Sequence, residues 1–137
     1  SSAMASTLKG LDAVPLAEAR KRLRKFAMIG APGADRILLQ CGLFPVFALE
    51  SNGLRVMLRL GAAREGRDYA ATYRSVMKAM TSFLPADIDT LALGEQLLRS
   101  HGIGICTRNA PRCGTCSLLP YCPTGRERST SKGAWRS

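Results

Sequence analysis

This sequence predicts an all-α protein, on three observations. Its apolar residues recur at three- and four-residue spacing in one segment after another, the period of a helix buried along one face. Gly, Pro and small polar residues stand between those segments, where helices start and stop. Four of its five cysteines then crowd between Cys106 and Cys122, in a stretch with little apolar core of its own.

The bulk composition sets limits. A chain of 137 residues is enough for one compact domain, and 46% apolar residues can supply a core. Aromatics are only 6%, too few for a stacking platform that binds single strands. No apolar run approaches the ~20 residues that span a bilayer. The formal charge is +10, from 20 Lys and Arg against 10 Asp and Glu. Such an excess favours a polyanion through counterion release, and nucleic acid is the usual one. An anionic membrane surface and plain solubility are the other readings of the charge.

Residues 1–13 read as a flexible N-terminus, beginning with the small, polar run Ser1 to Ser6. Pro15 opens a helix to about Met28. Leu16, Ala19, Leu23, Phe26 and Ala27 form its apolar stripe, and Arg20, Lys21, Arg22, Arg24 and Lys25 its basic run. Gly30, Pro32 and Gly33 break the pattern, which resumes from Gly33 or Ala34 to Cys41. Two helices joined by a glycine hairpin fit this. Such a hairpin offers backbone N–H groups at a helix N-terminus, where a phosphate oxygen can bind. Cys41, among Ile37, Leu38 and Leu43, reads as buried core.

An apolar connector with Pro45 leads to Glu50, and Ser51 or Asn52 caps a helix that Gly61 ends. Glu50 has two readings: a capping or salt-bridging acid, or a site carboxylate beside the hairpin. Asp68 to Phe83 forms the next helix, with Tyr69, Tyr73, Val76, Met77 and Met80 as a core face. Asp87 or Asp89 caps the following one, in which Leu91, Leu93, Leu97 and Leu98 recur before His101 and Gly102. The Ser-, Gly- and Arg-rich residues 123–137 read as a basic flexible tail.

The cysteines are spaced C-x6-C-x2-C-x5-C. Four thiolates can close a tetrahedral zinc site or hold the corners of an iron–sulfur cube. Pro111, Gly114 and Pro120 let a short chain wrap such a centre. Disulfides are the alternative; a disulfide scaffold would spread its cysteines along the chain. His101 is the only histidine, and four cysteines leave it no ligand position to fill.

Taken in order, these features resemble the endonuclease III family of helix–hairpin–helix DNA glycosylases. The cysteine spacing is similar to that family's 4Fe–4S signature. Gly30 and Ala34 match its hairpin pattern L-P-G-V-G-x-K-x-A. Pro45, Ala48, Arg55 and Val56 match its pattern around a catalytic aspartate, with Glu50 in the aspartate's place, and His101-Gly102 matches the segment leading to the cluster. The resemblance covers roughly residues 15–122.

It implies a helical domain over 14–105, a 4Fe–4S loop over 106–122 on Cys106, Cys113, Cys116 and Cys122, and double-stranded DNA as partner. The alternative metal is zinc. The candidate DNA contacts are Ile29, Gly30, Ala31, Gly33, Ala34 and Arg36 at the hairpin, with Arg108 and Arg112 in the cysteine loop. Glu50 is the candidate catalytic residue. The implied location is cytoplasm or nucleoid in a bacterium and the nucleus in a eukaryote. Family members carry a large helical segment before the hairpin, and about 28 residues precede it here. The expectation is then a fragment of a longer protein, a reduced relative, or a chain whose missing helices come from another segment or another chain.

Three departures bear on chemistry. The lysine that forms a Schiff base in the family falls on Pro32, which has no amine. Glu50 carries its carboxylate one methylene further than aspartate, where about 1 Å of misplacement can cost 100-fold. The first Pro-Gly of the hairpin reads Ala27-Met28. Two functions follow: a monofunctional DNA glycosylase of base-excision repair, without lyase chemistry, or a non-catalytic iron–sulfur DNA-binding module. A zinc-stapled interaction domain is a third.

Overall fold

The computed structural model describes residues 8–26 and 30–130. Among them are six α-helices and no strand: α1 (Leu16–Leu23), α2 (Ala31–Gln40), α3 (Ser51–Arg59), α4 (Tyr69–Thr81), α5 (Ile88–Gly104) and α6 (Pro123–Thr130). Three single turns of 3₁₀ helix, Leu11–Ala13, Cys113–Thr115 and Leu119–Tyr121, complete the set. None of the helices is long and apolar enough to cross a membrane.

Two apolar cores build the molecule. In one, Leu11, Ala19, Leu23, Ala34 and Leu38 lock α1 onto α2, all fully buried. In the other, Phe47, Leu49, Leu54, Tyr73, Val76 and Leu91 join α3, α4 and α5. Each large side chain so buried stabilises the fold by about 1.5–3 kcal/mol. The centre is the long contact between α3 and α5, and α6 returns to pack on α3 and on the two C-terminal 3₁₀ turns.

The caps explain most boundaries. Asp68 accepts from the Ala71 N–H at 2.8 Å and Asp87 from the Thr90 N–H at 2.9 Å, so they start α4 and α5. Gly61 ends α3 at φ +90°. There its N–H bonds the Leu58 carbonyl and the Ala62 N–H bonds that of Met57, a paired closure that favours glycine.

Several expectations need correction. The helix α2 begins at Ala31 rather than Gly33 or Ala34, because proline is tolerated in a first turn that has no N–H bond to lose. Gly30 is extended, with φ −90°, so the hairpin does not use its freedom to go left-handed. The expected helix from Pro15 to Met28 is hydrogen-bonded as α-helix only to Leu23, and Met28 lies outside the described residues. Cys41 is exposed, not core; it caps α2 where the chain leaves the packed face. Leu93 and Leu97 are 55% and 61% exposed, because α5 buries only the face carrying Leu91, Glu95 and Gly102. Within the expected flexible N-terminus, Leu11 is fully buried. Within the expected flexible tail, residues 123–130 form α6: Pro123 is pre-set for a first helical position, and the Arg126 N–H bonds the Cys122 carbonyl at 3.0 Å.

Candidate functional site

The hairpin end of the molecule is the N-terminal turn of α2. Gly30 is exposed and has no side chain with which to cap the first-turn amides of Ala31 and Gly33. Pro32 sits between them. The Ala34 N–H is already bonded to the Gly30 carbonyl at 2.9 Å and its side chain is fully buried. The Ala34 side chain therefore packs inside the α1–α2 core. Ile29 lies outside the described residues.

Charges around this turn are partly spent. Arg20 Nε donates to Asp35 Oδ1 at 2.7 Å, tying α1 to α2. Burial pushes the Asp35 carboxyl up from its ordinary value, against the lowering pull of Arg20. Arg36, expected at the phosphates, turns its Nε inward to Glu95 Oε1 at 3.2 Å. Lys21, Arg24 and Lys25 remain on the exposed side of α1 and its end, lining a shallow groove with Arg20. Arg108 and Arg112 are exposed as expected.

Glu50 is itself the N-cap of α3, one residue earlier than the cap expected at Ser51 or Asn52. Its Oε1 accepts from the Gly53 N–H at 2.7 Å. Its Oε2 accepts from Asn52 Nδ2 at 2.8 Å and faces Arg99 Nε at 3.9 Å. The carboxylate is only 14% exposed. A hydrogen-bonded chain continues inward. Arg55 Nη2 donates to Asn52 Oδ1 at 3.1 Å and to the Gly102 carbonyl at 2.6 Å, and its Nε to the Cys106 carbonyl at 3.0 Å. Glu50 is thereby connected to the first cysteine through two side chains.

One turn further along α3, Arg59 holds the start of the cysteine loop. It donates to Cys106 Sγ at 3.3 Å, to the Thr107 carbonyl at 2.7 Å and to the Arg108 carbonyl at 3.0 Å. Its own carbonyl faces Cys122 Sγ at 3.3 Å. Cys106, Cys113, Cys116 and Cys122 all line one pocket, closed by Leu118 and Leu119. N–H groups of Leu118 and Gly125 point at Cys116 and Cys122 sulfurs, at 3.4 and 3.3 Å. His101 Nε2 is 3.4 Å from Cys116 Sγ, and burial lowers its affinity for a proton. The Cys113 thiol is pushed up by burial first and then by the other three cysteines. Among the described residues, no three of His, Cys, Asp and Glu stand close enough to hold one metal ion.

No protein-family model matches this sequence, and no curated protein sequence does. Solved structures do. One is an endonuclease III trapped as a covalent intermediate on DNA, in its estranged-adenine complex. It superposes with a TM-score of 0.62 at 19% identity, over 86% of this chain and 69% of that one. Another is a non-covalent endonuclease III–DNA complex, with a TM-score of 0.60 at 18% identity over 88% and 70%. The chain has the endonuclease III fold. Within that fold, Gly30 stands at the head of α2, Glu50 caps α3 and the four cysteines line one pocket. The arginine pair Arg55 and Arg59 was visible in the sequence only as a match at Arg55. Glu95 gave no signal, since its partners lie 55 and 59 residues away.

Proposed function

We propose that this chain is an endonuclease III-like DNA-binding protein of base-excision repair, with double-stranded DNA as its partner. The observation that carries the reading is the fold: it matches two DNA-bound endonuclease III structures over 86% and 88% of the chain. The N-terminal turn of a helix such as α2 suits a phosphate oxygen, and the cations of α1 and of the cysteine loop suit the adjoining backbone.

In this reading Cys106, Cys113, Cys116 and Cys122 hold a 4Fe–4S cluster. The donors fit: four soft thiols line one pocket, and Gly125 of α6 sits against two of them, where a Cβ would stand 3.5 Å from the Cys113 and Cys122 sulfurs. Bound there, the cluster cross-links a loop that has few apolar contacts of its own. Iron rather than zinc in the purified protein, with visible absorption, is the expected outcome.

Glu50 is the catalytic residue of the enzyme reading. As a base departs, positive charge develops on the sugar, and a carboxylate held by Gly53, Asn52 and Arg99 is pre-oriented to offset it. Pro32 has no primary amine to attack the sugar, so no Schiff base forms by the family's lysine route. The second reading is a non-catalytic DNA-binding module, favoured by the engagement of both Glu50 oxygens in capping α3. Part of each endonuclease III chain lies outside the match. The test is base release from a panel of lesion duplexes. Under the enzyme reading the native protein releases a base, Glu50→Gln loses at least about 100-fold, and borohydride traps no covalent adduct. No release from any duplex leaves the binding module. Release that ignores Glu50→Gln removes Glu50 from the chemistry.

A further inference from the structure

Glu95 is 1% exposed, in the middle of α5. Two donors from α2, one helical turn apart, converge on the same oxygen: Arg36 Nε at 3.2 Å and Gln40 Nε2 at 3.1 Å reach Oε1. Gln40 also donates to the Ala92 carbonyl at 3.2 Å and accepts from Gln96 Nε2 at 2.8 Å. The other oxygen, Oε2, has no hydrogen-bond partner among the described residues. A half-satisfied buried carboxylate is a poor way to add stability; an apolar side chain of similar size is often as good or better. What the carboxylate does provide is register. Two donors a turn apart on one acceptor fix both the rotation and the axial position of α2 against α5. The turn from Gly30 to Gly33 lies at the head of that same helix, three residues before Arg36.

We propose that Glu95 is a positioning residue: through Arg36 and Gln40 it sets the angle at which the α2 N-terminal turn meets duplex DNA. The inference rests on the DNA-binding reading above. It also gives a reason for the Arg36 bond to Glu95, on the helix that begins at the hairpin.

The test compares the full chain with Glu95→Leu and Glu95→Gln in duplex binding across a salt series. Glu95→Leu removes the lock while keeping an apolar contact, and Arg36, 36% exposed, can turn to water. Its duplex affinity is expected to fall roughly 10-fold, a typical size for losing a coupled pair. The salt slope should stay within one unit, because no phosphate contact is lost. Glu95→Gln keeps an acceptor oxygen and should restore most of the affinity. Hydrogen exchange without DNA should show faster exchange at the α2 amides while α3 is unchanged. A folded Glu95→Leu that binds within twofold of native overturns the proposal. So does exchange that quickens throughout the chain together with the loss of affinity, which marks a merely structural residue. If Glu95→Leu does not fold, Glu95→Leu with Arg36→Leu removes the orphaned charge and is held to the same criteria. A native protein that binds no duplex overturns the DNA reading. Exchange at α2, read without DNA, tells that failure apart from failure of the lock.

Discussion

Gly102 meets the backbone of Asn52 at the crossing of α5 over α3. A Cβ there would stand 2.6 Å from the Asn52 carbonyl oxygen and 2.9 Å from its carbon. Both are main-chain atoms of a helix, so neither can swing aside. Gly102→Ala should therefore push the two helices apart and cost about 1–3 kcal/mol, read as a lower urea midpoint with an unchanged slope. Gly53, in the same contact, is a useful contrast. Its Cβ would meet Leu49 Cδ2 at 3.1 Å, the end of a side chain that can adjust, so Gly53→Ala should cost less. Equal losses at the two positions would contradict this account. The same crossing carries the Arg55 bond to the Gly102 carbonyl. A shift there displaces Asn52 and with it the Glu50 carboxylate, linking a packing residue to the candidate chemistry.

Among the elements, the C-terminal loop depends most on something other than apolar packing. Its 3₁₀ turns bury none of their residues. Arg59, the cysteines and α6 hold it. Cys113→Ser removes one of four candidate ligands, and Gly125 of α6 lies directly over Cys113 and Cys122. The variant should lose visible absorption and iron, and α6 should unfold with the loop, lowering the melting temperature. A Cys113→Ser protein that keeps both its colour and its melting temperature would show that the cluster is not what staples this region. These elements also show how far the sequence could be read. Caps and periodicity located α3, α4 and α5, because Asp68, Asp87 and Gly61 act within four residues of themselves, although the cap of α3 is Glu50 and not Ser51 or Asn52. The cysteine spacing located the pocket for the same reason. Residues 123–130 escaped because their polarity is that of a tail; α6 exists through contact with α3 and the 3₁₀ turns. Glu95, the exposure of Leu93 and Leu97, and the inward turn of Arg36 all follow from which face α5 gives to α2. No local pattern records that.

Over the whole molecule, the question is which of the 20 Lys and Arg side chains are left to meet a polyanion. Arg20, Arg22, Arg36 and Arg99 each face a carboxylate, on Asp35, Glu18, Glu95 and Glu50. Arg55 and Arg59 are occupied with carbonyls of α5 and the cysteine loop. Lys21, Arg24 and Lys25, beside the hairpin, and Arg108 and Arg112, in the loop, are exposed. If about four of these five sit on phosphates, the logarithm of duplex affinity should fall with the logarithm of salt at a slope of about −3.6, or roughly 100-fold between 50 and 200 mM. Replacing Lys21, Arg24 and Lys25 together by Gln should flatten the slope by about 2.7 and weaken binding alike on every duplex, since phosphate contacts carry no sequence information. The fold should be unaffected, because all three point to solvent. A native affinity indifferent to salt would remove duplex DNA as the partner. A triple variant with the native slope would move the interface off α1 and leave the loop arginines to account for it.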